Sequence, residues 1–434
     1  MSQPANADSP HEITSEQING DRLELLMKLT GQINSNLDLD SLLLDIIQAV
    51  QLVMVCEASS LMLYDEDEDC LVLSIPTGPA TEEVSGKKIP KDKGIGGWVF
   101  TNGDPVIVND VEEDERFLGD IDPDAFETKN IICVPLLNQE KEIIGVIEAI
   151  NKKGKKGFSE DEMPIFQALA NQAAIAIENA RLHEQQKQKM LLEQKLDLAR
   201  SIQSGFLPKE SPDIEGYSIA GITKPSTWVG GDYYDFVPAN SSYEHVFSLG
   251  DVTGKGVPAS LLMASVRSVL RTQIENNHSL TKTIGLVNRS IHRDTPIDKF
   301  ITLFCGELDS QSNTFSYVNA GHTDGFHIDY NNNEINHLNK GGVMLGIMEH
   351  ASYDHGSITL EPGEQIVIYS DGISEPQNAN GDMYAEVRFK DWLLDHPNCT
   401  PQETIDLLIE DVKEFNDSDE QSDDITLIVI KRNE

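Results

Sequence analysis

A run of helical periodicity stretches from about Glu160 to Phe206, in the middle of a chain of 434 residues. Apolar residues recur through Ala173, Ile177 and Ala180, and again at Leu192, Leu196 and Ala199. Helices within a globular domain typically run about 8–20 residues, so one core cannot wrap a helix this long. The chain therefore divides into bodies on either side of it. At roughly 150 residues per domain, two or three domains fit the length. The middle of the run, Glu184-Gln-Gln-Lys-Gln-Lys189, is polar on every face, and Leu207-Pro208 ends it, because proline disfavours a helical residue before it.

The two flanks have different textures. Residues 1–20 are polar and are predicted to be a disordered tail. Leu25, Leu26, Leu29 and Ile33, then Leu42, Leu43, Ile46, Ile47 and Val50, predict two amphipathic helices. Strands are predicted at Ser60–Tyr64, Leu71–Ile75, Pro105–Val108, Asn130–Leu136 and Ile143–Ile150. Together they predict an α+β domain over 21–183. Residues 184–210 read as a helical linker whose apolar stripe suits a coiled-coil seam and a homodimer. Beyond it, strands are predicted at Ser218–Ile222, His245–Asp251, Ile301–Leu308, Thr314–Asn319, Gln365–Tyr369 and Ile425–Ile430. Helices at 258–275, 280–292, 386–394 and 402–415 complete a second α+β domain over 211–434.

Charge narrows the function. The chain has 33 basic and 73 acidic residues, a formal net charge of −40, which repels nucleic acid and anionic membrane. The five cysteines, at 56, 70, 133, 305 and 399, form no CxxC pair. That pattern argues against a disulfide framework or zinc site and fits a reducing cytoplasm. No apolar run approaches the roughly 18 residues that span a bilayer, so membrane insertion is not expected.

Four segments of the second domain place an aspartate at a strand end or edge. They are Val229-Gly-Gly-Asp232, Gly250-Asp251-Val-Thr-Gly-Lys-Gly256, Ser370-Asp371-Gly372 and Ser422-Asp423-Asp424. Strand ends bring distant segments together, and carboxylates gathered there repel unless a cation compensates them. Oxygen ligands without Cys or His point to Mg²⁺ or Mn²⁺. Each Asp-Gly pair alone is an ordinary turn; the argument rests on the set.

Residues from about 190 to 434 resemble the SpoIIE/RsbU-type, metal-dependent PPM protein phosphatases. The motifs are Ile202-Gln-Ser-Gly-Phe-Leu-Pro208, Val229–Phe236, Gly250–Ser260, Phe300–Gly306, Asn319-Ala-Gly-His322, Tyr369–Glu375 and Asp423–Thr426, in the family's order. The resemblance implies an αββα sandwich that hydrolyses phosphoserine or phosphothreonine on a regulatory protein, such as an anti-sigma factor antagonist. It makes Asp232, Asp251, Asp371 and Asp423 catalytic metal ligands, with Asp251 bridging two ions. The carbonyl of Val252 and, less well aligned, Asp424 join the metal set. Two such ions lower the pKa of a shared water and neutralise the phosphoryl oxygens. His322 is followed by Thr323-Asp324 rather than the family's usual small residues and prolines, so it reads as structural. Lys255 reads equally as a phosphate contact or a solvated charge, and Asp235 as structural or as a support behind the metal ligands. The alternative reading is a catalytically silent signalling and binding module.

The first domain resembles a GAF domain. Gly94-Ile-Gly-Gly-Trp98, Gly103-Asp-Pro-Val106, Asp114-Glu-Arg116-Phe117, Val134-Pro-Leu136 and Gly145–Lys152 carry the likeness. It implies a six-stranded sheet flanked by helices and a small-molecule ligand. Asn151-Lys152 with Phe158, Asp161 and Glu162 echoes the motif of cyclic-nucleotide-binding members, one residue short in spacing.

Overall fold

The structure, a computed structural model, describes residues 38–74, 86–118, 126–155, 157–239, 245–276, 278–296, 299–416 and 421–433. The predicted tail, the helix through Leu25 to Ile33, and Ile75 lie outside the described residues. The chain forms two compact units, Met1–Leu191 and Leu192–Glu434, so the boundary falls inside the predicted helical linker.

In the first unit, helix α1 (Leu39–Met54) starts at Asp38, whose side chain accepts from the Ser41 amide at 3.0 Å. This bond satisfies one of the donors that a helix start leaves free. Leu42, Ile46, Val50 and Val53 form its buried stripe. The strands are β1 (Cys56–Asp65), β2 (Cys70–Leu73), β3 (Lys88–Pro90), β4 (Val106–Val108), β5 (Ile131–Leu137) and β6 (Ile143–Lys152). They make one six-stranded sheet in the order β3-β2-β1-β6-β5-β4. Alternation sends Leu61, Ile132, Val134 and Ile147 to one face, against α1 and the first half of helix α3 (Met163–Ser204). It sends Met62, Cys133 and Val146 to the other, under helix α2 (Gly94–Asn102). Helix α2 was not among the predicted helices, because Gly94-Ile-Gly-Gly reads as a turn.

The residues that echo a cyclic-nucleotide motif hold this unit together. Asn151, at φ 58°, accepts from the Lys129 amide at 2.8 Å and donates to Glu57 at 3.0 Å and to the Glu127 carbonyl at 2.8 Å. The Lys152 ammonium is buried against Glu162 at 2.5 Å and the Met54 carbonyl at 2.6 Å, over the Phe158 ring. Lys152 thus has an internal counter-ion. Buried charges require this kind of pairing.

Helix α3 has 42 residues. Phe166, Leu169, Ala173 and Ile177 are buried, residues 182–192 are exposed, and Gln203 is buried again.

The second unit has strands β7 (Tyr217–Lys224), β8 (Tyr233–Pro238), β9 (His245–Val252), β10 (Ile301–Asp309), β11 (Thr314–Ala320), β12 (Gly325–Asp329) and β13 (Glu334–Leu338). Strands β14 (Gly341–Gly342), β15 (Gly356–Thr359), β16 (Gln365–Tyr369) and β17 (Ile425–Arg432) follow. One sheet runs β14-β11-β10-β9-β8 with β15 on β11, and the other β13-β12-β16-β17-β7. Their inner faces meet through Phe236, Phe247, Leu249, Phe304, Ile366, Ile368 and Ile428. Each side chain of this size, fully buried, stabilises by about 1.5–3 kcal/mol. Helices α4 (Val257–Glu275) and α5 (Leu280–Asp294) cover the first sheet through Met263, Val266, Leu270 and Ile284. Helices α6 (Ala385–Asp395) and α7 (Pro401–Asn416) cover the second through Phe389, Leu393, Ile405 and Leu408. The layering is αββα. Among the described residues no helix is long and apolar enough to cross a membrane.

Candidate metal centre

The loop before β8 is shaped by two glycines. A Cβ at Gly230 would fall on Oδ2 of Asp424, and one at Gly231 would lie 2.7 Å from the carbonyl oxygen of Val252. Only glycine lets this backbone pass so close. Asp424 receives the loop: its Oδ1 accepts from the amide of Ser226 at 2.7 Å and the hydroxyl at 2.9 Å. Its Oδ2 accepts from the amides of Gly231 at 2.8 Å and Asp232 at 3.4 Å. Asp424 is therefore saturated by donors.

Asp232 is set at the start of β8 and is almost fully buried. Thr426, on β17, donates to its Oδ2 at 2.6 Å. Because that hydroxyl donates there, the 2.7 Å contact with Thr223 supplies it with a proton in return. Asp251 ends β9, opposite Thr302 on β10. Asp371 lies one residue beyond β16, after Ser370, in a short 3₁₀ turn. Gly372 carries no side chain because a Cβ there would strike the Asp424 carbonyl. Ser370 ties the same carbonyl down, donating to it at 3.1 Å.

These carboxylates disfavour one another's charge. Burial, then the charge of Asp251, pushes Asp232 well above the usual carboxylate range. Asp251 is pushed up to about 6 by burial and by Asp371, Asp423 and Asp424. Asp371 is also pushed up to about 6, by burial, Glu375 and Asp423, with some relief from Lys255. Such a group is the electrostatic signature of a cation site. Its donors are all oxygen, which suits a hard divalent ion. Among the described residues no three His, Cys, Asp or Glu side chains gather around one point. The bonding explains this. Asp424 is committed to the loop, while Asp423 accepts from the Asp424 amide at 2.8 Å and from the Lys255 ammonium at 3.1 Å.

The remaining candidates have structural partners. Nε2 of His322 contacts the Tyr369 carbonyl at 3.1 Å and Nδ1 the Thr302 hydroxyl at 2.7 Å. A carbonyl only accepts, so Nε2 carries the proton and Nδ1 accepts. Burial lowers the His322 pKa to about 4, keeping the ring neutral. Asp235 is completely buried and bound at both oxygens by Arg271, each at 2.6 Å. One contact was not anticipated from sequence. Gln203, in the last turn of α3, donates to the Gly230 carbonyl at 2.7 Å and accepts from the Gly230 amide at 3.1 Å. A polar residue at a helix end reads as solvated; only its place inside the Ile202–Pro208 motif marked it.

Comparison with known proteins agrees with both halves. The family described as Stage II sporulation protein E (SpoIIE) matches residues 242–433, and the GAF domain family matches residues 38–177. The phosphoserine phosphatase RsbU of Bacillus subtilis (strain 168) is 28% identical over 241 residues, 56% of this chain and 71% of that protein. The dual 3',5'-cyclic-AMP and -GMP phosphodiesterase 11 of Drosophila melanogaster is 30% identical over 197 residues, 42% of this chain but 14% of its own length. Among solved structures, the SiaA-PP2C domain of Pseudomonas aeruginosa superposes with a TM-score of 0.50 at 21% identity. It covers 56% of this chain and 98% of that one, a likeness of fold. The chain joins a GAF domain to a SpoIIE-type PP2C phosphatase domain and is homologous to the RsbU and SpoIIE phosphatases.

Proposed function

We propose, from that pairing of domains, a divalent-cation-dependent phosphatase that removes phosphate from serine or threonine of a regulatory protein. The observation that carries the reading is the electrostatic coupling of three carboxylates at or beside strand ends: Asp251 raises the pKa of Asp232, and Asp371 raises that of Asp251. Asp232, Asp251, Asp371 and Asp423, with the Val252 carbonyl, would hold two Mn²⁺ or Mg²⁺ ions. Such ions, when bound, make water acidic enough to attack at neutral pH and offset phosphoryl charge.

The chain's own residues prepare that site. Thr426 orients Asp232, and Asp424 grips the Gly230–Asp232 loop, so we assign Asp424 to positioning rather than to metal. His322 stays neutral and joins β10 to the turn before Asp371. The name of RsbU supports phosphoserine as the target, and an anti-sigma factor antagonist is the proposed substrate class. The GAF domain would take a small regulatory ligand. With Lys152 and Asn151 engaged internally, they are not available to bind it. Met190, Leu191, Leu198 and Ile202 are exposed along α3 and would form the seam of a homodimer. The unpaired cysteines suit a cytoplasmic setting.

Hydrolysis of p-nitrophenyl phosphate by the full chain tests the reading. Turnover should appear with Mn²⁺ and vanish with EDTA. A folded chain without metal-dependent turnover, on this ester and on phosphoserine peptides, would sink it.

A further inference from the structure

Lys255 is a cation that reaches this carboxylate group. Its ammonium donates to the Ser422 carbonyl at 2.6 Å and pairs with Oδ2 of Asp423 at 3.1 Å. Oδ1 of the same carboxylate accepts from the Asp424 amide at 2.8 Å. Each oxygen of Asp423 thus already has a donor. A divalent ion at Oδ2 competes with the ammonium, because two cations on one oxygen repel. The lysine is placed to yield. It stands between Gly254 at φ 100° and Gly256 at φ 74°, and its side chain is 51% exposed. No atom lies within 4 Å of where a Gly256 Cβ would be, so the chain there is not hemmed in.

Resting on the phosphatase reading, we propose that Lys255 is an exchangeable cation of the site. It holds Asp423 until a divalent ion takes that carboxylate, and the released ammonium then binds the phosphoryl group of the substrate. One residue thereby sets metal affinity and phosphate affinity in opposite directions. A lysine serves better than an arginine would, because its charge is compact and its stem flexible.

Calorimetric titration of the full chain tests the exchange. Mn²⁺ alone is titrated first, then inorganic phosphate into the Mn²⁺-loaded protein. Lys255→Met should bind Mn²⁺ about tenfold more tightly, since a like charge has left the site. It should bind phosphate about tenfold more weakly, having lost a charged donor. Lys255→Arg keeps the charge and should stay within about threefold of wild type in both titrations. A Lys255→Met protein that binds Mn²⁺ no tighter, or phosphate no weaker, overturns the exchange. If that occurs while Mn²⁺-dependent hydrolysis of p-nitrophenyl phosphate persists, the phosphatase reading stands and only the exchange falls. A wild-type chain that binds no Mn²⁺ and matches Asp251→Asn in every titration overturns both.

Discussion

Each unit contains a lysine paired with a carboxylate, and the two pairs have opposite characters. Lys152 and Glu162 are 2.5 Å apart with side chains 2% and 5% exposed. Lys255 and Asp423 are 3.1 Å apart with side chains 51% and 37% exposed. Away from water, the first pair is further held by protein groups, Lys152 by the Met54 carbonyl and Glu162 by Ser159, and solvent does not compete for it. The pair is a fixed joint between β6 and the turn that leads into α3. In the second pair, water and ions can compete for both members, so the same chemistry is open to exchange. Burial, more than residue type, separates a fixed ion pair from one open to solvent here.

Removing one charge from each unit should sharpen the contrast most. Asp251→Asn should reduce phosphatase turnover at least ~1,000-fold at saturating Mn²⁺, a barrier change of about 4 kcal/mol. Its far-UV circular dichroism should match wild type, because Asn is isosteric and the site no longer confines a charge. Lys152→Met should act on stability instead. It strands the Glu162 charge, and breaking a buried pair costs about 3–5 kcal/mol in denaturant unfolding. Adding Glu162→Leu should recover most of that loss. If Lys152→Met leaves the unfolding midpoint where it was, the pair is not the joint described.

Smaller effects follow. Asp424→Ala removes the acceptor of four donors and should cost about 2–3 kcal/mol, by the usual worth of charged hydrogen bonds. Asp424→Asn, which keeps one carbonyl oxygen, should lose less. For pH, the sign follows from Asp251 and Asp371, both raised to about 6 in the fold. Between the ordinary carboxylate value and 6 the native state binds more protons than the unfolded chain, so their contribution to stability falls as pH rises through that window. Denaturation in EDTA at several pH values, compared with an Asp251→Asn/Asp371→Asn protein, should show that slope only in wild type. Saturating Mn²⁺ should flatten it. Smallest of all, Lys255→Met should shift stability by less than about 1 kcal/mol, as half-exposed pairs do. A large loss there would erase the contrast with Lys152.

What the sequence disclosed and withheld follows from how far each signal reaches. Periodicity is local, so α4, α5, α6 and α7 were predicted nearly to their ends, as were the long strands β9, β10 and β17. The strands β12 to β15 were not, because Asn331-Asn-Asn and Gly341-Gly342 break any alternation. Strand β8 was hidden differently: Tyr233-Tyr-Asp-Phe was read as part of a motif. At the site, the glycines beside Asp232, Asp251 and Asp371 were legible, since close backbone approach demands them. The division of labour between Asp423 and Asp424 was not. It depends on Ser226 and Gly231, almost 200 residues earlier in the chain. Lys152 shows the same limit, because a charged residue after a strand reads as exposed until its counter-ion is known.

The exposed run 182–192 of α3 also bears on how the chain can be taken apart. Helical backbone without burial opens at low cost, and opened backbone is what a protease cuts. Trypsin acting on the native chain should therefore cleave first at Lys187 or Lys189, leaving two fragments that each retain a complete core. Protection of those lysines as concentration rises would register self-association along the helix. A chain severable at one helical segment is also one that recombination can splice there. The two domains can then be inherited separately, so long as a graft keeps Gln203 and the turn beneath it.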